Sequence, residues 1–259
     1  MATDVLLTSR DGDVVTITLN RPEKRNAMTV PMLAGLRSVF HELAATTDVR
    51  AVILAGAGKA FCAGLDLKEM GLARKPDGTV EYPDIEDALH ALEHCPLPTI
   101  AMMQGDAIAG GLELALHCDL RVAGAGARMG MPLARIGLVV PYPLTQKLLD
   151  TVGTVKTKEM LFTGTLLDAE SARRAGLVTR VVPDAELEHA TRALAAEIAA
   201  NAPLSIRTMK AAINEANAFR SLTPSPGLAA QAATTRRSED LQEGLRAVFE
   251  KRRAVFKGR

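Results

Sequence analysis

The residues of this chain best suited to chemistry sit around two glycine turns. "KAFCAGLDLKEM" (59–70) and "QGDAIAGGLELA" (104–115) each place glycine just ahead of a helical apolar pattern. A glycine turn that opens a helix leaves backbone N–H groups unpaired and pointing outward, and the helix dipole adds positive potential at that end. Two such turns face to face would hold an oxygen that gains negative charge, an oxyanion hole. The second turn runs into "GGLELALHCD", apolar except for Glu113 one turn in and the polar residues at its end. A carboxylate beside a dry cleft has its pKa raised into a range useful for moving protons. The same acid could instead only complement the helix N-terminus.

Other arrangements are weaker. "HALEHC" places His90, His94 and Cys95 at i, i+4 and i+5, and His117 precedes Cys118, but no paired CxxC or HExxH frame supports a metal. "AGAG" occurs at 55–58 and 123–126 without the GxGxxG pattern of a dinucleotide site. Cys62 has no recognisable His partner and reads as packing.

The elements that must position these turns follow from periodicity. "DVVTITLN" (13–20) alternates like a strand, "TVPMLAGLRSVFHELAATTD" (29–48) is helical with Thr29 as N-cap, and "VRAVILAGAG" (49–58) is a buried strand. Residues 71–84 read as a mobile loop, about 84–94 as a helix, and "PTIAMMQG" (98–105) as a buried strand. "GGLELALHCD" is the next helix, and "LRVAGAGARMGMP" (120–132) reads as paired short strands. From about 143 nearly everything is helical, including "LTQKLLDTVG" and "TVKTKEMLFTG" as separate segments, with an exposed break at "NAFRSLTPSPG" (217–227). Parallel strands joined by helices make the class α/β.

Composition closes off several functions. A net charge of +1 supplies no general field for polyanions or membranes. Aromatics at 3% without Trp argue against a base-stacking nucleic-acid surface. The longest apolar stretch, about 99–118, is broken by Gln104, Asp106 and Glu113, so no membrane span is expected. Three scattered cysteines and a start, MATDVLLTSRDGD, without signal-peptide character make a reducing cytoplasm the expectation.

"RPEKRNAMTVPM" (21–32), "AFCAGLDLKEM" (60–70), "GDAIAGGLELALHCDLRVA" (105–123), "TGTLLDAESARRAGLVTRVV" (163–182), "NAPLSIRTMK" (201–210) and "SEDLQEGLRAVFEKR" (238–252) resemble the crotonase (enoyl-CoA hydratase/isomerase) superfamily over nearly the whole chain. The resemblance implies a spiral of ββα units over 1–200 that carries an acyl-CoA site. It also implies a helical oligomerisation region over 201–259, forming a homotrimer or a dimer of trimers. It places the oxyanion donors on the backbone N–H of Leu65 and Gly110, and an acid/base on Glu113. Leu65, Asp66, Leu67 and Lys68 match the family's binding run, Ala63 and Ala27 lie where backbone groups meet the adenine and pantetheine, Lys24 and Arg25 fall near the CoA phosphates, and Lys251, in the last helix, at a lysine that reaches CoA. No metal and no cofactor are implied, since coenzyme A enters with the substrate.

One departure matters. The hydratases carry a second glutamate after a proline, and that position in "RMGMPLARIGL" is Leu133. Leucine cannot transfer a proton. Asp106, Asp84 and Glu86 are possible substitutes. "VPYPL" (140–144) resembles a Val-Pro-Tyr of the methylmalonyl-CoA decarboxylases, which makes Tyr142 a candidate contact for a substrate carboxylate or a proton donor. The expectation is therefore a lyase of lipid metabolism, an enoyl-CoA hydratase. The alternatives are decarboxylation or isomerisation through the same enolate, and an acyl-CoA-binding protein with weak chemistry.

Overall fold

The computed structural model describes residues 5–68, 85–218 and 226–257. Strand β1 (Leu6–Asp11) pairs antiparallel with β2 (Val14–Leu19). β3 (Ala51–Gly56), β4 (Thr99–Met103), β6 (Leu120–Gly124) and β9 (Arg180–Val182) then add in parallel, giving the order β1-β2-β3-β4-β6-β9. A parallel sheet covered on both faces needs continuous apolar strands. "AVILAG" is such a run, buried from Ala51 to Ala55. β1 escaped the periodicity reading because only Leu6 of its six residues is buried.

A second, three-stranded sheet holds β5 (Ala107–Ile108), β7 (Arg128–Gly130) and β8 (Leu167–Asp168), with Cys62 bridged to Ala107 at its β5 edge. The chain thus runs repeatedly from a long strand to a short one and on to a helix. β4 and β5 lead to α3 (Gly110–His117), and β6 and β7 lead to α4 (Tyr142–Thr163). Each repeat advances one place in both sheets, which is the ββα spiral expected. The short strands within 120–132 do not pair with each other: β6 joins the large sheet and β7 the small one. A chain that changes sheet between strands cannot form a hairpin, and periodicity alone does not show the change.

One face of the large sheet carries the main core, with α1 (Val30–Ala44), α2 (Glu86–Glu93), α3 and the first half of α4 packed around Phe40, Phe61, Leu92 and Leu148. Thr29 caps α1 as expected, its hydroxyl accepting from the Met32 N–H at 3.4 Å. On the opposite face Ile53, Ile100 and Val122 meet Leu187, Leu194 and Ala195, all three on α6 (Leu187–Ala199). α4 consists of two helical segments that meet at a break at Gly153, whose φ of 73° and ψ of 169° are not helical, in keeping with the two separate segments expected. The expected loop at 71–84 lies outside the described residues, and so does most of the break at 217–227.

The boundary expected at 200 falls between α6 and α7 (Pro203–Ala218). α7 is tied to the core by Lys210, which bonds Asp119 at 2.7 Å and the Leu97 carbonyl at 3.0 Å. α8 (Pro226–Arg236) follows, and α9 (Glu239–Phe249), capped by Ser238, packs on the short 3-10 turn Pro132–Ile136. The contact is made backbone to backbone at Gly244, where an added methyl would meet the Ile136 carbonyl oxygen at 2.3 Å. In an isolated helix alanine is favoured over glycine by about 1 kcal/mol. Here overpacking, at about 1–3 kcal/mol or more, outweighs that gain. Gly244→Ala should therefore lower the thermal midpoint; a raised midpoint in calorimetry would show that α9 is not docked on this turn.

Candidate active site

The first glycine turn is laced to the segment after β2. Met28 N–H donates to the Gly64 carbonyl (2.8 Å), Asp66 N–H to the Met28 carbonyl (2.8 Å) and Ala63 N–H to the Arg25 carbonyl (3.0 Å). This alternation turns the Leu65 N–H away from Met28. The second turn is fixed by Ile108 N–H donating to the Cys62 carbonyl (3.0 Å) and Ala109 N–H to the Gly130 carbonyl (2.9 Å). Ala109 takes φ 51°, unusual for a residue with a side chain, and α3 starts at once after it.

The two turns touch. A methyl added to Gly64 would lie 3.2 Å from the Gly110 nitrogen, and one added to Gly110 would lie 3.5 Å from the Leu65 nitrogen. Among the described residues, neither the Leu65 N–H nor the Gly110 N–H has an acceptor. Gly111 closes the contact, because any Cβ there would meet the Cys62 carbonyl oxygen at 2.1 Å. Two adjacent unpaired donors, one at a helix N-terminus, form a site for an oxygen that becomes negative.

Glu113 lies in the first turn of α3, 8% exposed. Burial, then the charge of Glu86, raise its pKa from 4.5 to about 7, while Lys147 draws it down. A carboxyl that titrates near neutrality can both take and return a proton. Of the acids considered as partners, Asp106 is committed to a bidentate pair with Arg128 (2.7 and 2.9 Å). Glu86, first residue of α2, is the one whose charge reaches Glu113. Asp84 lies outside the described residues.

Leu133 stands in the Pro132–Ile136 turn, half-buried against the main core. Tyr142 is the first residue of α4, half-buried, its hydroxyl accepting from Gln146 Nε2 at 3.2 Å. Cys62 is buried and its thiol is pushed up to about 12 by that burial, which removes it as a nucleophile at neutral pH. No group of three potential metal ligands occurs among the described residues.

The expected binding residues divide. Lys24, Arg25, Ala27, Ala63, Leu65 and Asp66 come together where the two laced segments meet. Lys24 and Arg25 are exposed, and Leu67 and Lys68 continue the chain at the same place. Ala27 has both backbone groups engaged within the protein, its N–H with the Lys24 carbonyl and its carbonyl with Arg21. Asp66 is likewise taken, by both terminal nitrogens of Arg21 at 3.1 Å. Lys251 lies beyond the end of α9, at φ 54°, not within the last helix.

Two positioning residues were missed, though both lie in the quoted "RPEKRNAM". Arg21 ties Ala27 to Asp66. Asn26 is fully buried at φ 56°, and its amide donates to the carbonyls of Ala57, Ala60 and Phe61 at 2.7–3.2 Å. An asparagine after a proline turn was the available signal, since asparagine tolerates the left-handed region.

The family model for enoyl-CoA hydratase/isomerase matches residues 9–259. The chain belongs to that family. The Bacillus subtilis protein YngF, which carries a provisional enoyl-CoA hydratase/isomerase name, is 39% identical over the full length of both chains. The 2,3-dehydroadipyl-CoA hydratase of Escherichia coli is 35% identical, with 98% of this chain and 99% of that one covered. A methylmalonyl-CoA decarboxylase in complex with 2-nitronate-propionyl-CoA superimposes with a TM-score of 0.90 over all of both chains, at 26% identity. The fold is thus the crotonase spiral, and the chain is an enzyme of the hydratase/isomerase family.

For a family enzyme with one buried carboxylate, stability should report its ionisation. The folded chain holds the Glu113 proton up to about pH 7, whereas the unfolded chain loses it near 4.5. Stability from this group is therefore complete at low pH and lost as pH rises between those values. Above pH 7 the buried charge costs about 3 kcal/mol. Glu113→Gln should raise the thermal midpoint at pH 8 and change it little at pH 4.5. A midpoint lowered equally at both values would refute a buried, ionising Glu113.

Proposed function

We propose that this enzyme adds water across the double bond of a 2-enoyl-CoA. The observation that carries the reading is the pair of unpaired N–H groups at Leu65 and Gly110 beside a buried Glu113. The thioester oxygen sits on the two donors. Glu113 takes a proton from water as the hydroxide adds to Cβ, the electrons move into the enolate, and its oxygen is stabilised where charge develops. The Cα proton is then returned by the same carboxyl, now protonated. One carboxyl serves in both directions because its pKa lies near neutrality. Tyr142 in this reading lines the acyl end and is not required for proton transfer. No cofactor is called on, and coenzyme A arrives with the substrate.

Lys24, Arg25 and Lys68 supply exposed positive charge for the CoA phosphates. Ala63 and Leu65 offer backbone groups to the pantetheine arm, with Lys251 reaching CoA from the chain end. Asp66, held by Arg21, acts through the shape of the turn. The work belongs to lipid metabolism in the cytoplasm, consistent with three free buried cysteines; no described helix is long and apolar enough to cross a membrane.

A second reading is favoured by one observation. The decarboxylase likeness spans both chains at a TM-score of 0.90, and Leu133 removes the second acid. Loss of CO2 from a malonyl-type thioester forms the same enolate and needs only one proton returned. Turnover assays separate the readings. Hydration of crotonyl-CoA is expected, falling by about 10²–10⁴ in Glu113→Gln with little change in CoA-ester binding. CO2 release from methylmalonyl-CoA without hydration would replace the first reading by the second. Tight binding with neither reaction would make the chain an acyl-CoA-binding protein.

Assembly is proposed to be a trimer or a dimer of trimers. Val155 and Phe162 on α4 and Leu204 on α7 are each more than three-quarters exposed, large apolar side chains that a neighbouring copy would cover. Light scattering at micromolar concentration should give three or six times the 27.5 kDa chain mass. A stable monomer would overturn this.

A further inference from the structure

Behind Glu113 a polar strap crosses three helices. Glu86 and Glu93 stand seven residues apart on α2, and Glu113 and His117 four apart on α3, so each pair shares one helix face. Lys147 Nζ on α4 grips Glu93 Oε1 at 2.6 Å. The other Glu93 oxygen lies 3.6 Å from His117 Nε2, and His117 Nδ1 lies 2.8 Å from the Glu113 carbonyl oxygen. A carbonyl only accepts, so Nδ1 carries the proton there. Asn214 on α7 donates to the Glu93 carbonyl at 3.0 Å and fixes that end of α2.

The strap is partly withdrawn from water: the side chains of Lys147, Glu93 and His117 are 23, 32 and 11% exposed. Burial pushes Glu93 up, but Lys147 and then His117 outweigh it and hold the carboxyl below its ordinary value. Burial, then Lys147, press His117 down to about 4, so at neutral pH its ring is uncharged. The charges that reach Glu113 are Glu86 from α2 and Lys147 from α4, and Glu93 is the counter-charge of Lys147. His117, on the same helix as Glu113, is neutral and bonds the Glu113 carbonyl. Lys147 is the positive member of this set.

We infer that Lys147, held by Glu93, is a positioning residue for the reaction that acts through Glu113: it supplies the compensating positive charge beside the α3 face that carries that acid. The inference rests on the reading of Glu113 as the acid/base. A lysine that only tied α4 to α2 would affect stability and leave the proton equilibrium of Glu113 unmoved.

The test is the pH profile of kcat/KM on crotonyl-CoA. Its acidic limb reports ionisation of Glu113. Lys147→Met should move that limb to higher pH, on the order of half a unit for a charge beyond direct contact. Lys147→Arg should restore it. Glu93→Gln, which removes the counter-charge of Lys147, should move it the opposite way. The pH window in which Glu113→Gln gains stability, measured by calorimetry with and without Lys147→Met, reads the same equilibrium without turnover. Lowered midpoints with an unmoved limb and window would overturn the inference. If Lys147→Met does not fold, Glu93→Gln decides alone, by whether the limb moves to lower pH. Full turnover in Glu113→Gln would instead overturn the acid/base reading, and the calorimetric window would still decide the role of Lys147.

Discussion

Everything in this molecule depends on keeping two backbone N–H groups unpaired, side by side. A donor withdrawn from water without a partner costs about 1–3 kcal/mol, and chains normally arrange to avoid that. Here backbone groups on either side are already engaged, so that the turns cannot relax onto the Leu65 and Gly110 donors. Met28 is bonded on both sides of Leu65, and Ala109 is bonded to Gly130. Ala109 is held at a positive φ that costs on the order of 1–3 kcal/mol. That strain persists because the parallel register of β5 against β7 fixes the residue before it and α3 fixes the residue after it.

Glu113 extends the same logic to charge. Placed in the first turn of α3, it receives help from the helix dipole when ionised, yet burial and Glu86 dominate and leave it near neutrality. A structural acid at a helix start would sit in water with a low pKa, as Asp168 does where it caps α5 (Ala169–Arg174). The two carboxylates occupy similar places in their helices and are driven in opposite directions. Hydrogen bonds from the Ser171 N–H and hydroxyl draw the capping acid down, whereas burial drives Glu113 up, and only Glu113 is brought to a range suited to moving protons.

The sequence made the scaffold and the two donor turns legible because both are local. β3 announces itself by a continuous apolar run, α1 by its threonine cap, and the donor turns by glycines next to helical patterns. What it concealed depends on which distant segments meet. The partition of β6 and β7 between two sheets leaves no mark in periodicity. The Arg21–Asp66 pair joins residues 45 positions apart, so neither charge looks different from a solvated one until the turns are laced together. His117 stands beside Cys118 in the sequence, whereas its ring bonds the backbone of Glu113. Lys251 reads as part of the last helix because "EKRR" continues a good helical composition, but the backbone leaves the helix after Phe249.

The absence of a second acid then acquires a structural context. Leu133 lies in the turn that receives α9, where Gly137 and Gly244 let backbone approach backbone. That turn follows β7, whose Gly130 carbonyl holds Ala109 and so the start of α3. The segment lacking the second carboxylate is therefore coupled on one side to the terminal helix and on the other to the oxyanion donors. A glutamate at 133 would bring a charge next to apolar core contacts, and burial would tend to keep it protonated. With leucine there, the turn adds an apolar, half-buried side chain to the main core. In the proposed reaction this leaves proton transfer to Glu113, the carboxyl that burial raises to about 7.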